Sequence, residues 1–298
     1  MSLDIIGPFL RPIEHLLADD EISEIMCNPD SSCWIERDGL IRPANAILRE
    51  GELHAGLEVI ANKFGKQFDA GHPILNVRLP DGNRLSAIIP PVVGPEPLLN
   101  IRIFGRRRYT LNDLVECGTL SQDVADRLRD DIRKRRNIVI SGATGTGKTT
   151  LLNALANEIP DDERIFLIED TAEIKLKKPH AIAAQSQSDT YAQDLSFDAL
   201  LKAALRHRPD RIILGEIRGT EARTLLDAMN TGHGGTLTTI HANDARGALR
   251  RIATLAARAT SGSMLGDTER EVMSLIESAI HMVRSHSGRR VVEVCAKQ

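Results

Sequence analysis

The first hundred residues mix helical patterns with short strand-like runs. Apolar residues recur at helical spacing over 3–17, although one glycine and two prolines weaken the first half of that helix. A second helix is predicted over 51–64, and strands are predicted over 24–27, 33–36, 74–79, 84–89 and 100–104. The turn 81–83 carries Asp-Gly between two alternating runs, which favours a hairpin. This part is therefore predicted to be a small antiparallel α/β domain.

From about residue 113 the pattern changes to helices that alternate with short apolar strands. Helices are predicted over 122–134, 148–158, 197–206 and 220–230, and strands over 137–140, 164–168, 211–214 and 235–240. This alternation is typical of a parallel sheet with crossover helices, and strands without polar positions fit a sheet buried on both faces. A capping box of Thr110 and Asp113 follows a polar stretch between the halves. We predict an N-terminal α/β domain over 1–104, a linker over 105–112 and a second α/β domain over 113–298.

Composition is that of an ordinary soluble protein. The 298 residues are 42% hydrophobic and 27% charged, which suffices for two domains. No apolar run approaches the roughly 20 residues of a bilayer span, and the first residues do not resemble a signal peptide, so we predict a cytosolic protein. A net charge of −3 and 3% aromatic residues give no case for sequence-specific nucleic-acid binding. The cysteines form no Cys-x-x-Cys pair, so free buried thiols are predicted at Cys27, Cys33, Cys117 and Cys295.

Residues 142–149, GATGTGKT, match the phosphate-loop pattern Gly-x-x-x-x-Gly-Lys-[Ser/Thr] at every fixed position and follow an apolar strand. The glycines let successive backbone N–H groups face the phosphates. Lys148 supplies a charge to the β- and γ-phosphates, Thr149 supplies a hydroxyl to Mg²⁺, and the dipole of the following helix favours the same anion. The residues predicted to bind a nucleoside triphosphate here are Gly142, Ala143, Thr144, Gly145, Thr146, Gly147, Lys148, Thr149 and Thr150.

Acidic residues follow two other predicted strands. Glu216 ends one of them, although Gly215 stands where many P-loop enzymes have the Mg²⁺-binding aspartate. Glu169, Asp170 and Glu173 follow another, at the edge where nucleotides bind in open α/β sheets. The metal role would then fall to Glu216, through water, or to another acid such as Asp170. The alternative is that these acids cap or solvate a loop.

Two histidines, His233 and His241, bracket one further strand. They stand at its opposite ends, too far apart to be joint ligands of one metal. We predict separate contacts with the nucleotide, with at most one of them near the γ-phosphate. The alternative is that each is a polar group satisfied by the fold.

Four motifs in this order resemble the secretion ATPases of type II and type IV secretion, pilus assembly and conjugation. They are GATGTGKT (142–149), LIEDTAEI (167–174), RPDRIILGEIRG (208–219) and TGHGGTLTTIHAND (231–244), which that family calls Walker A, Asp box, Walker B and His box. Segments 76–91 and 100–104 look like the family's N-terminal domain. Segments 21–39 and 287–294 are most similar to conjugal-transfer ATPases of the TrbB type.

The resemblance implies an α/β fold with a C-terminal RecA-like P-loop NTPase domain and a smaller N-terminal α/β (PAS-like) domain. It implies ATP hydrolysis with Mg²⁺, in which Lys148 and Thr149 contact the phosphates and the metal. By the same resemblance Glu173 is the general base for the attacking water, and Glu216 is its Walker B partner.

Arg84 and Arg102 match N-terminal-domain arginines that reach the phosphates in the family, and Arg206 and Arg218 are further candidates for phosphate or subunit contacts. ATP held between two domains would turn hydrolysis into rigid-body motion. The resemblance also implies a homo-oligomer, a hexameric ring, that works with inner-membrane components of a secretion apparatus at the cytoplasmic face. The main hypothesis is a motor of a type IV conjugation apparatus. The alternatives are a pilus or type II secretion motor, a nucleotide-gated structural hub with little turnover, and a nucleic-acid helicase.

Overall fold

The computed structural model describes residues 6–37, 39–46, 48–49, 51–79, 82–103, 109–186, 195–260, 264–285 and 288–296. The chain divides into two compact units, Met1–Arg107 and Arg108–Gln298. Residues 105–108 of the predicted linker lie outside the described residues. Phe104, the last residue of the predicted strand 100–104, and Asp81, the first residue of the predicted hairpin turn, lie outside them as well.

The first unit is a six-stranded sheet in the order β3-β2-β1-β6-β5-β4, with every neighbouring pair antiparallel. Its strands are β1 (Ile22–Cys27), β2 (Cys33–Arg37), β3 (Leu40–Pro43), β4 (Ile74–Arg78), β5 (Arg84–Ile88) and β6 (Leu98–Arg102). Helix α2 (Glu52–Lys63) buries Leu53, Leu57 and Ile60 in the core of this unit. The predicted antiparallel α/β domain is confirmed.

The predicted first helix is wrong in its N-terminal half. Within the described residues the chain forms two 3-10 turns, Gly7–Phe9 and Arg11–Ile13, and then the short helix α1 (Glu14–Leu17). A proline stands at the start of each turn. Because proline has no backbone N–H, it is tolerated in a first turn but ends a continuous helical ladder.

The second unit is a seven-stranded sheet in the order β13-β12-β7-β11-β10-β8-β9. All pairs are parallel except β12 with β13. The strands are β7 (Ile138–Gly142), β8 (Ile165–Glu169), β9 (Ala181–Gln185), β10 (Arg211–Leu214), β11 (Leu237–Ile240), β12 (Ser278–Ser285) and β13 (Gly288–Ala296). The helices are α3 (Leu111–Glu116), α4 (Gln122–Arg133), α5 (Lys148–Asn157), α6 (Phe197–Ala204), α7 (Glu221–Asn230), α8 (Ala245–Arg258) and α9 (Leu265–Leu275), and Leu205–His207 is a 3-10 turn.

Burial explains why the central strands of this sheet lack alternation. Every residue of β7, β8, β10 and β11 is buried. Ile138 and Ile140 belong to one apolar cluster, whereas Val139 between them belongs to another. Because successive side chains point to opposite faces, the sheet is covered on both sides, as the sequence predicted.

The capping box before α3 is present. Thr110 Oγ1 accepts from the Asp113 N–H at 3.1 Å, and an Asp113 carboxylate oxygen accepts from the Thr110 N–H at 2.7 Å. The cysteine prediction is half wrong, because Cys27 and Cys33 are buried but Cys117 is exposed and Cys295 is half-buried. Among the helices in the described part of the chain, none is both long and apolar enough to cross a bilayer.

Candidate nucleotide-binding site

The loop 142–147 joins the buried strand β7 to helix α5, as the phosphate-loop pattern predicted. Gly147 has φ +94° and caps the helix. A Cβ at Gly142 would lie 2.5 Å from the Met282 carbonyl oxygen and 2.6 Å from Thr146 Oγ1. Neither position accepts a side chain, since one needs a left-handed backbone and the other touches its neighbours. The curled loop therefore depends on glycine. Thr149 and Thr150 stand half-buried in the first turn of α5.

Lys148 is 8% exposed and lies inside the curve of this loop. Its ammonium donates to the carbonyl oxygens of Gly142 at 3.0 Å and Ala143 at 2.9 Å. A cation held at a helix N-terminus beside converging N–H groups makes a strongly anion-binding position.

His241 joins the P-loop to the acid after β10. Its Nδ1 lies 3.2 Å from the Gly142 carbonyl oxygen and 3.5 Å from Lys148 Nζ. Its Nε2 lies 3.3 Å from Glu216 Oε1. The structure thus brings together Lys148, His241 and Glu216, three of the predicted site residues, from three different strand ends.

Arg218 extends this cluster to the strand β8. Its guanidinium donates to Glu216 Oε2 at 2.9 Å and to Asp170 Oδ2 at 2.8 Å. The hydrogen bond to Glu216, and then the charges of both carboxylates, raise the pKa of Arg218. Glu216 and Asp170, the two acids predicted as metal candidates, therefore both accept hydrogen bonds from the guanidinium of Arg218.

Glu169 packs against the glycine that stands in place of the usual Walker B aspartate. A Cβ at Gly215 would lie 3.3 Å from Glu169 Cγ and 3.4 Å from the Ile168 carbonyl oxygen. Glu169 is 4% exposed and its Oε1 accepts from the N–H groups of Glu173 at 3.1 Å and Ile174 at 3.0 Å. Burial raises its pKa to about 7, against the two N–H bonds that lower it. The buried acid occupies the space beside Gly215 and fixes the turn that carries Glu173.

The segment after Glu173 is tied to the P-loop helix. The Lys175 N–H donates to Asn153 Oδ1 at 3.2 Å, and the Lys177 N–H donates to Asn157 Oδ1 at 3.1 Å. Both asparagines belong to α5. The half-buried Glu173 thus lies in a turn held by Glu169 on one side and by α5 on the other.

Four predicted residues are not brought to this cluster within one compact unit. Arg206 lies in the 3-10 turn Leu205–His207 before β10, at the sheet edge opposite Glu216. His233 precedes β11, and because β11 is parallel to β7, it stands at the sheet edge opposite the P-loop. The predicted nucleotide contact of His233 therefore needs correction, since a strand places the residues before and after it at opposite edges. Arg84 and Arg102 belong to the first unit, where they are exposed and directly opposite each other on β5 and β6.

The structure adds residues that the sequence analysis missed. The hairpin β12–β13 brings Arg289 to the P-loop, where its Nε donates to the Gly145 carbonyl oxygen at 3.0 Å. Arg284 lies directly opposite Arg289 in this hairpin. The valine-rich run 289–294 was the available signal for a strand, but it does not say where the hairpin lies.

Magnesium suits the donors of this edge. No group of three or more His, Cys, Asp and Glu side chains with metal-binding geometry occurs in the described ranges. Mg²⁺ beside a nucleotide keeps several waters and takes phosphate oxygens, so it needs only one or two protein oxygens. The hydroxyl of Thr149 and the carboxylate of Glu216 fit that limited role, and Asp170 is a second acid at the same edge.

The chain matches the family described as "Type II/IV secretion system protein" over residues 10–298. It is 41% identical over 283 residues to the conjugal transfer protein TrbB of Rhizobium radiobacter, covering 93% of this chain and 84% of that one. It is 30% identical over 334 residues to the type IV secretion system protein VirB11 of Bartonella henselae, covering 98% and 93%.

Two solved structures share its fold. The VirB11 ATPase of the Brucella suis type IV secretion system superposes with a TM-score of 0.54 at 27% identity, covering 99% of this chain and 94% of that one. The Legionella pneumophila ATPase DotB has a TM-score of 0.70 at 22% identity, covering 100% and 82%. The fold class predicted from the motifs agrees with both.

Proposed function

Because this chain belongs to the type II/IV secretion system protein family, we propose that it is an ATP-hydrolysing motor of a type IV secretion or conjugation apparatus. The observation that carries the proposal is the contact between the P-loop and the acidic strand ends through His241. A binding-only P-loop requires Lys148 and the loop amides. A histidine and an arginine that connect the loop to acids on two further strands fit a site that senses and cleaves the γ-phosphate.

Each residue has a role that its position supports. Lys148 neutralises charge at the β- and γ-phosphates, where charge gathers in the transition state. Glu173 takes the proton from the attacking water, and Glu169 holds the turn from which it acts. His241 contacts both the P-loop and Glu216, so the presence or absence of the γ-phosphate changes the position of His241 and, through it, the position of Glu216. Mg²⁺, held by Thr149 and Glu216 with Asp170 nearby, would neutralise phosphate charge when bound.

The conjugation hypothesis is preferred over the pilus and type II motors because a protein named for conjugal transfer is 41% identical to this chain. As a motor of this kind the chain works as a homo-oligomeric ring of six subunits and docks on inner-membrane components. In that ring, Arg84 and Arg102 of the first unit contact the phosphates, and the two-domain arrangement of residues 1–104 and 113–298 converts hydrolysis into motion. The structural-hub alternative predicts binding with negligible turnover.

Lys148→Ala tests the enzymatic part of the proposal. Steady-state phosphate release with Mg²⁺ and ATP should fall at least about 100-fold, because the variant loses the fixed cation at the reacting phosphates. The exposed Lys66 in the first unit supplies a matched control, since Lys66→Ala removes the same charge far along the chain from the loop. Turnover of Lys148→Ala within about twofold of wild type would refute the motor, and negligible turnover by wild type that still binds ATP would favour the hub.

A further inference from the structure

Two buried cysteines face each other across the first hairpin of the N-terminal unit. Cys27, the last residue of β1, and Cys33, the first residue of β2, are directly opposite in the antiparallel register. Their Sγ atoms lie 2.7 Å apart. The P-loop and the acids described above belong to the second unit, so neither thiol takes part in that cluster. The pair is a set of nucleophilic groups that the proposed function does not use.

The backbone places the two residues at the spacing that a disulfide needs. The Asn28 N–H donates to the Ser32 carbonyl oxygen at 2.8 Å, so these neighbours form a hydrogen-bonded pair. The Cys33 carbonyl oxygen accepts from the Ala44 N–H at 2.8 Å and so points away from β1. Cys27 and Cys33 are therefore a pair without backbone hydrogen bonds between its members, a type whose Cα atoms lie about 4.5 Å apart. This spacing falls within the range of about 4.4–6.8 Å found in disulfides.

The hydrogen bond between the sulfurs makes the two thiols unequal. It lowers the pKa of Cys33 and raises the pKa of Cys27, which burial raises further. Because the thiolate is the form that reacts with oxidants, Cys33 is the nucleophile of the pair. Both cysteines adjoin the turn 28–32, whose residues are half-buried or exposed. Local opening of this turn is enough to admit an oxidant as small as hydrogen peroxide.

We propose that Cys27 and Cys33 are an oxidative modification site, at which hydrogen peroxide converts the two thiols into a disulfide that joins β1 to β2. The Cys33 thiolate attacks a peroxide oxygen, the O–O bond breaks, and a sulfenic acid forms as one water leaves. The Cys27 thiolate then attacks the Cys33 sulfur, the S–O bond breaks, and a second water leaves. Two electrons pass from the sulfurs to the peroxide, and both thiol protons end in the waters. A dithiol reductant reverses the oxidation by thiol–disulfide exchange.

The disulfide stabilises the first unit and leaves the second unit unchanged. It closes the loop 28–32 covalently, which limits the conformations of the unfolded chain. Strand β1 lies between β2 and β6, so the bond joins strands in the interior of the sheet, where both sulfurs are part of the apolar core. The modification is independent of the proposed ATPase function, and it holds or fails without regard to nucleotide binding.

Oxidation of the full chain by hydrogen peroxide tests the proposal. The substitutions Cys117→Ser and Cys295→Ser first remove the other two cysteines, so that every remaining thiol belongs to the pair. After oxidation, thiol titration in denaturant should fall from two thiols per chain to none, and the intact mass of the monomer should fall by about 2 Da. Dithiothreitol should restore both values. Calorimetry should show the unfolding transition of the first unit at least about 5 °C higher in the oxidised form.

Cys33→Ser in the same background is the matched control. A single thiol cannot close the loop, so this variant should show neither the loss of mass nor the rise in Tm. Should the background variant fail to fold, mapping of the cross-linked peptide in oxidised wild type answers the same question. Retention of both thiols, a gain of oxygen mass without a disulfide, or a disulfide between two chains would overturn the proposed site. A disulfide between Cys27 and Cys33 that leaves the Tm unchanged would overturn its stabilising role.

Discussion

Glu169 should make the second unit less stable as the pH rises through neutrality. Its carboxyl group is buried after β8 and accepts two backbone N–H bonds from the turn that carries Glu173. Burial, supported by the charges of Glu173 and Asp170, raises its pKa from 4.5 to about 7. A group whose pKa is raised by folding stabilises the folded state fully below its unfolded pKa, and this stability is lost as the pH rises through the folded pKa.

The size of this effect follows from the two pKa values. At about 1.36 kcal/mol for each pKa unit, the whole titration is worth about 3 kcal/mol, and most of it falls between pH 5 and pH 8. The glutamine side chain introduced by the substitution Glu169→Gln would be neutral throughout and would still offer an oxygen to the two N–H groups. The unfolding free energy of wild type relative to Glu169→Gln should therefore fall by about 2.5 kcal/mol between those pH values. For a unit of this size that corresponds to roughly 5–10 °C in Tm.

Differential scanning calorimetry of both proteins at pH 5, 6, 7 and 8, with EDTA and without nucleotide, measures this difference. Glu116→Gln is the control, because Glu116 is exposed at the end of α3 and its variant should follow wild type at every pH. Parallel Tm curves for wild type and Glu169→Gln would refute the reasoning, since they would mean that Glu169 has the same affinity for protons in the folded and unfolded chains.

Three further predictions concern turnover. Glu173→Gln should keep ATP binding and lose phosphate release, because glutamine keeps the shape and loses the base; much weaker binding would reassign Glu173 to Mg²⁺. The loss caused by Glu216→Gln should be partly non-additive with it in a double-mutant cycle of phosphate release, and strict additivity would mean that the two acids act apart. Arg102→Ala should reduce phosphate release at least about tenfold, as loss of a transition-state arginine does, and should weaken the compaction that small-angle scattering reports on adding a non-hydrolysable ATP analogue. Normal turnover with normal compaction would limit the first unit to docking partners.

Periodicity predicted the central strands of the sheet because their burial leaves little ambiguity. β7, β8, β10 and β11 are short apolar runs between recognisable helices. The edges were harder to predict. β9 is an edge strand with mixed exposure. β12 depends on pairing with β7, which lies more than 130 residues earlier in the chain, and β13 in turn pairs with β12. A local pattern does not contain that pairing.

The candidate site was likewise predicted only in part from the sequence. The P-loop and the acids after β8 and β10 were identified because each motif carries its own chemistry. The sequence distinguished Glu173, as the base, only through the family resemblance, and no role followed for Glu169, because the burial of Glu169 depends on the neighbouring strand at Gly215. His233 was misplaced for a related reason. His233 and His241 flank the same glycine-rich strand and have similar neighbours in the sequence. The direction of the strand in the sheet decides which of the two reaches the edge with the P-loop.

The contacts at the nucleotide edge follow the order of the strands in the sheet. Arg289 of β13 holds the loop after β7, His241 after β11 joins that loop to Glu216 after β10, and Arg218 joins Glu216 to Asp170 after β8. Each link connects strand ends that are neighbours or next neighbours, so a displacement at the phosphates can pass along the edge without a change in the buried strands. The central strands β7, β8, β10 and β11 are fully buried, and close packing makes them a rigid support. Loss of the γ-phosphate would displace the side chains that contact it, and the connected charged side chains would carry this displacement along the rigid sheet to the turn of the proposed base. Such a connection is the local requirement for coupling hydrolysis to motion.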